Sequence, residues 1–181
     1  MPAHRASSLI VTGPAGSGKT TLGHALAQRL KRPLLDLDSL TNPLLDSLAH
    51  FLPGPHWNVE SAATEAIRQG RYAVLRQAAR DLIADGAEPI LIAPFTRELT
   101  GGTEWAELVD ALAPTVPRVV YLTASPEILA ARRAERGAQR DALRVDTAVP
   151  DVAVPHLAMD ARRSVDDLAE EVVTALRTPV Q

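Results

Sequence analysis

One short segment constrains the fold of this chain more than any other: the glycine-rich octapeptide Gly13–Thr20. It follows the pattern Gly-x-x-x-x-Gly-Lys-Thr, the P-loop or Walker A motif, between an apolar run and a stretch with leucines four residues apart. This context predicts a strand, a tight loop and a helix in succession, with backbone N–H groups turned inward around an anion. We therefore expect the segment to bind a nucleoside triphosphate, with Mg·ATP as the expected ligand.

The residue types of the loop suit separate parts of a metal–nucleotide complex. Lys19 is expected to reach the β- and γ-phosphates, and the Thr20 hydroxyl to ligate Mg²⁺. Lys19 is conspicuous because the chain has only one other lysine, Lys31. The predicted nucleotide-binding residues are Gly13, Ala15, Gly16, Ser17, Gly18, Lys19, Thr20 and Thr21.

Apolar runs alternate with amphipathic stretches along the whole chain, which is typical of a parallel sheet covered by helices. The 181 residues, 46% of them hydrophobic, suffice for one domain with a substantial core, and no long linker divides them. We predict a single three-layer α/β/α domain over residues 1–181. Strands are predicted at 9–12, 34–37, 89–93, 119–122 and 156–159; helices at 20–30, 60–69, 71–85, 103–112, from Pro126, and at 165–176, with Ser164 as an N-cap; residues 38–54 are predicted to be irregular.

Composition excludes several functional classes. The net charge of −3 provides no basic field for nucleic acid, and the absence of cysteine excludes thiolate metal sites and cysteine nucleophiles. No apolar run approaches the length of a membrane span, and residues 1–8 lack the apolar core of a signal peptide. We expect a cytoplasmic protein, a monomer or homodimer, whose partner is a small-molecule substrate rather than nucleic acid or a membrane.

Other P-loop classes carry motifs that this chain lacks. No D-x-x-G follows the loop and no N-K-x-D is present, which argues against a GTPase. No strand ends in an Asp-Glu pair, which argues against an oligomeric motor ATPase. The length instead suits small-molecule kinases.

The segment Leu35-Asp36-Leu37-Asp38 is similar to the D-x-D that ends the second strand of shikimate kinases and related gluconate kinases, a group of AAA-type, kinase-like P-loop proteins. The resemblance implies that Asp36 assists Mg²⁺ and that Asp38 contacts the acceptor hydroxyl as a candidate base. It also implies a five-stranded parallel sheet in the order 2-3-1-4-5, an acceptor-binding insert at about 38–72 and a lid at about 132–146. The residues themselves leave open that Asp38 only caps the segment that follows.

The same resemblance points to arginines on both sides of the reaction. The family places an arginine after the acceptor loop, and Arg76 falls at a matching distance, with Arg71 as a second candidate. Arg132, Arg136 and Arg140 follow the fourth strand and share one face if the helix persists. We predict that Arg132 binds nucleotide and that Arg136 and Arg140 stabilise the transferring phosphoryl group. For each group, the alternative is a solvated helix face.

Acceptor specificity is expected from two segments. The loop after the third strand, Pro94–Arg97, departs from the relatives, so Thr96 and Arg97 are candidate substrate contacts. Trp57 lies in a turn-rich segment, where its ring could stack on a sugar or base, or simply pin the loop.

The predicted reaction is transfer of the γ-phosphoryl group of ATP to a hydroxyl of a small metabolite, such as a sugar or sugar acid. A kinase that acts on a hydroxyl-bearing antibiotic is an open subclass. A nucleotide-binding or ATP-hydrolysing protein that signals to a protein partner is the main alternative. A nucleotide or polynucleotide end kinase is a third, although the acidic balance argues against the polynucleotide version.

Overall fold

The described residues of the computed structural model, 6–52, 62–136 and 151–177 with only the backbone of Arg136, form one parallel sheet between helices. The sheet has five strands: β1 Ser7–Thr12, β2 Leu34–Asp36, β3 Ile90–Ile92, β4 Val116–Thr123 and β5 His156–Asp160. Their order is β2-β3-β1-β4-β5, and every neighbouring pair is parallel. This confirms the predicted fold and strand order.

Helices cover both faces of the sheet. They are α1 Lys19–Leu30, α2 Leu37–Ser47, α3 Ala62–Ala84, α4 Thr103–Leu112, α5 Pro126–Arg136 and α6 Val165–Arg177, with short 3-10 turns at Ala49–Phe51 and Glu98–Thr100. Alternate residues of β1 point to opposite sides: Leu9 packs with α1 and α6, and Ile10 packs with α3 and α4. Both residues are fully buried, as expected for the central strand of a three-layer domain.

The prediction of an irregular segment at 38–54 is wrong over most of its length, because α2 occupies Leu37–Ser47. Pro43 lies inside this helix and obscured it in the sequence. The helix is stabilised at its start by the Asp36 carboxylate and along one side by Leu37, Thr41 and Leu45, which are buried at a spacing of four.

The stretch predicted as two helices is one continuous helix, α3, which passes through Gly70. A Cβ at Gly70 would meet no atom within 4 Å, so this glycine costs the helix only its low propensity. Other predicted boundaries hold: α5 begins at Pro126, and the Ser164 hydroxyl accepts from the Asp167 N–H at 3.1 Å as the N-cap of α6. Among the described residues, no helix is both long and apolar enough to cross a membrane.

Candidate nucleotide and acceptor site

The P-loop turns sharply between β1 and α1. Gly13, Gly16 and Gly18 have φ values of 140°, 85° and 88°, a region that L side chains rarely adopt. Lys19 begins α1, and its Nζ donates to the Pro14 carbonyl oxygen at 2.8 Å, so the ammonium group lies across the loop. The loop thus brings a helix N-terminus and a positive charge to the carboxyl edge of the sheet.

The backbone of the loop is packed closely against its neighbours. A Cβ at Gly13 would lie 2.5 Å from the Leu122 carbonyl oxygen of β4, and one at Gly16 would lie 2.9 Å from the Leu129 carbonyl oxygen of α5. Within the described segments, the Ser17 hydroxyl is buried without a hydrogen-bond partner. Buried hydroxyls ordinarily have a partner. An orphaned hydroxyl in a glycine-lined cradle fits a phosphate group, and hence the predicted nucleotide.

We expect Gly13→Ala to lower the free energy of unfolding by about 2–4 kcal/mol, because the new methyl group meets backbone at a positive φ. Urea unfolding measures this change. Gly70→Ala is the control: its methyl group meets no atom within 4 Å, and it is expected to be neutral or to stabilise α3 by up to about 1 kcal/mol. Equal stability of the two variants would contradict the close packing described for the loop.

Asp36 connects the P-loop to the segment after β2. Its Oδ2 lies 3.4 Å from the Thr20 hydroxyl, and its Oδ1 accepts the N–H groups of Asp38 at 2.8 Å and Ser39 at 3.1 Å. The capping role left open for Asp38 therefore belongs to Asp36. Thr20 and Asp36 offer two neighbouring oxygens of the kind Mg²⁺ prefers. Among the described residues, no three or more His, Asp or Glu side chains are placed so that they could hold a metal ion together, so phosphates and water would supply the remaining ligands.

Asp38 faces an arginine rather than a helix end. Arg71 of α3 contacts Asp38 Oδ1 through Nη2 at 2.5 Å, and its other contacts are Thr41 Oγ1 at 2.8 Å and Asn42 Oδ1 at 3.1 Å. The Asp38 side chain keeps 48% of its surface exposed, so it is oriented by Arg71 and still accessible. An exposed carboxylate of this kind can accept a hydrogen bond from a hydroxyl group.

The first candidate for an acceptor arginine, Arg76, lies elsewhere on α3. It pairs with Glu107 of α4 at 3.3 Å, and five residues of helix turn it about 140° away from Arg71. In this structure the arginine beside Asp38 is therefore Arg71, the second candidate.

A second ion pair, which no sequence motif predicts, joins α3 to the loop after β3. Arg68 Nη2 donates to both carboxylate oxygens of Glu98, at 3.0 and 3.1 Å, although Glu98 is only 1% exposed. The burial of Glu98 raises its pKa, and Arg68 opposes that shift. Arg68 also stacks over the Tyr72 ring at 4.6 Å.

Tyr72 fixes the start of the same loop. Its hydroxyl oxygen accepts the Phe95 N–H at 3.0 Å, where Phe95 has a φ of 47°. One residue earlier, the Pro94 carbonyl accepts from the Thr12 hydroxyl at 2.8 Å, immediately before the P-loop. The loop after β3 is therefore tied both to α3 and to the end of β1.

The two predicted specificity residues lie next along this loop. Thr96 and Arg97 are both exposed. Arg97 forms a two-pronged pair with Glu65 of α3, with both N–O distances at 2.7 Å, and this hydrogen bonding lowers the pKa of the Glu65 carboxyl. Arg97 therefore contacts the start of α3, within the predicted acceptor-binding insert at about 38–72.

The lid side of the site is described only up to α5. Arg132 donates to the Ala161 carbonyl oxygen at 2.9 Å, beside the end of β5. Arg133, which was not among the predicted site residues, lies against the P-loop. Its Cγ would be 3.3 Å from a Cβ atom added to Gly16. Arg136 ends α5, but its side chain is not described, and Arg140 and Trp57 lie outside the described residues.

A family model described as an AAA domain matches residues 9–172 of the chain. The chain belongs to this AAA domain family. The match runs from β1 into α6 and so includes the P-loop, Asp36 and Asp38, and the segments that pack around them.

The chain also resembles individual proteins in sequence or in structure. A shikimate kinase of Enterococcus faecalis (strain ATCC 700802 / V583) is 28% identical over 129 residues, which are 71% of this chain but only 66% of the relative's length. A structure from Chloroflexus aurantiacus J-10-fl, provisionally described as a kinase, covers 97% of this chain and 98% of its own at 23% identity and a TM-score of 0.72. A gluconokinase from Sinorhizobium meliloti 1021 covers 96% and 93% at 20% identity and a TM-score of 0.62. The chain therefore has the fold of these two solved proteins and is similar in sequence to a shikimate kinase.

Proposed function

We propose that this protein transfers the γ-phosphoryl group of ATP to a hydroxyl of a small molecule. One observation carries the proposal: Asp36 lies 3.4 Å from Thr20 of the P-loop and also holds the Asp38 backbone. A candidate metal ligand and a candidate base are thereby contiguous with a phosphate cradle at one edge of the sheet. Ligands of open parallel sheets bind at this edge.

In the proposed mechanism, the P-loop backbone and Lys19 bind the triphosphate, and Thr20 and Asp36 would hold Mg²⁺. When bound, Mg²⁺ offsets charge on the β- and γ-phosphates. Asp38, oriented by Arg71, accepts the proton of the acceptor hydroxyl while the hydroxyl oxygen bonds to the γ-phosphorus. The bond to the β–γ bridging oxygen breaks, and ADP leaves.

In the same proposal, the arginines after β4 bind the nucleotide and stabilise the transferring phosphoryl group. Arg136 and Arg140 stabilise charge on the transferring group, and Arg132 and Arg133 hold the nucleotide side of the site. The predicted lid at about 132–146 lies outside the described residues from position 137 onward. Its proposed role is to exclude water, which would otherwise compete as acceptor.

The test is ADP release by the full chain with Mg·ATP, measured with and without sugars, sugar acids, nucleosides and aminocyclitols. We expect at least one hydroxyl compound to raise the rate well above that with ATP alone, and its deoxy analogue to have no effect. If no acceptor stimulates release while calorimetry still detects ATP binding, the proposal fails. That result would favour a nucleotide-binding protein that acts on a protein partner.

A further inference from the structure

The segments around Asp38 have an unusual balance of charge. We define the acceptor walls as the described residues 37–52, 62–72 and 94–102, which hold α2, the start of α3 and the loop after β3. These residues contain no lysine, three arginines and four carboxylates. The fixed positive charge of the walls therefore comes entirely from arginines whose contacts are described.

Each of these arginines is already matched with a carboxylate of the chain. Arg71 contacts Asp38 at 2.5 Å, the candidate base itself. Arg68 binds both oxygens of buried Glu98, and Arg97 binds both oxygens of Glu65. The Arg97–Glu65 pair uses both Nη groups of Arg97, the planar fork that an acceptor carboxylate or phosphate would otherwise occupy, whereas Arg68 donates to both Glu98 oxygens through Nη2 alone.

An anionic acceptor would compete with one of these carboxylates for its arginine. Displacing Glu98 would leave its carboxylate buried without its cation, which is strongly unfavourable. Displacing Asp38 from Arg71 would set the acceptor's charge beside the carboxylate that must receive its hydroxyl. Only the exposed Arg97–Glu65 pair could exchange partners cheaply.

We infer that the acceptor carries no anionic group: it is a neutral polyol or a hydroxyl compound bearing an amine, rather than a sugar acid or sugar phosphate. This inference rests on the proposed function and narrows its substrate class. An amine would be favoured by the excess of carboxylates in the walls.

The first test compares acceptors that differ only in charge. Glucitol, glucamine and gluconate form one set, and shikimate with its methyl ester forms another. The assay runs at pH 8 for every acceptor. We expect kcat/KM for the neutral or cationic member to exceed that of the acid by at least about tenfold. A higher kcat/KM for the acids would overturn the inference while leaving the proposed kinase activity intact.

A second test does not depend on turnover. Glu65→Gln frees Arg97 within the acceptor walls, so calorimetry with Mg·ADP present should detect at least about fivefold tighter binding of gluconate and shikimate, with glucitol unchanged. Glu107→Gln is the matched control, because it frees Arg76 on another face of α3 and should change neither. If Glu65→Gln gains no affinity for the acids, or Glu107→Gln gains as much, the inference is wrong. Absence of acceptor-stimulated ADP release would instead count against the proposed function.

Discussion

Lys19→Met is expected to reduce acceptor-dependent ADP release about 10²–10³-fold. The substitution keeps a long side chain but removes the only lysine ammonium at the P-loop, which lies 2.8 Å from the Pro14 carbonyl. Fixed charges aimed at a transferring phosphoryl group typically contribute an effect of this size. Steady-state kinetics with saturating Mg·ATP would measure it.

The chain supplies its own control, because Lys31 is its only other lysine. Lys31 follows α1 at the surface, so Lys31→Met makes the same chemical change about one helix length from the loop. We expect its kinetics to match those of the wild type. A similar loss in both variants would mean that general positive charge, and not the position of Lys19, matters.

Asp38→Asn is expected to reduce acceptor-dependent turnover about 10²–10⁴-fold, the usual contribution of a positioned general base. Asparagine preserves the shape of the side chain, and Arg71 keeps its contacts with Thr41 and Asn42. Binding of Mg·ATP should therefore change little. Kinetics and calorimetry on the same preparation would separate the two effects.

Asp46→Asn is the matched control, since Asp46 is an exposed residue of the same helix α2. It should retain wild-type turnover. If Asp38→Asn also retains turnover within about tenfold, a difference of about 1.4 kcal/mol, then Asp38 is not the base. Slow ATP hydrolysis without acceptor gives a third readout, and it should be unaffected by Asp38→Asn.

The fold was predictable because its signals are local. Signals within a few residues indicate the P-loop, the buried strands and the helix starts at Pro126 and Ser164. Where a local signal misleads, the prediction failed: Pro43 hid helix α2, and Gly70 suggested a break in α3 that does not occur. In both cases tertiary packing overrides propensity.

The acceptor half of the site was less predictable, because its contacts depend on how α3 is rotated. A spacing of five residues separates Arg71 from Arg76, and only packing determines which of them meets Asp38. The Arg68–Glu98 pair joins residues thirty positions apart, a relation that no motif records. The roles assigned to Trp57, Arg136 and Arg140 stay predictions.

The Arg68–Glu98 and Arg97–Glu65 pairs of the acceptor walls differ in how freely evolution can change them. Glu98 is 1% exposed and its partner Arg68 also covers Tyr72, so a substitution there disturbs the loop that is tied to β1. Arg97 and Glu65 are 49% and 35% exposed, and breaking such a surface pair typically costs little stability. A single mutation at position 65 or 97 can therefore change the net charge of this part of the walls at little cost to folding. Descendants of this protein could acquire new acceptors at these two positions first.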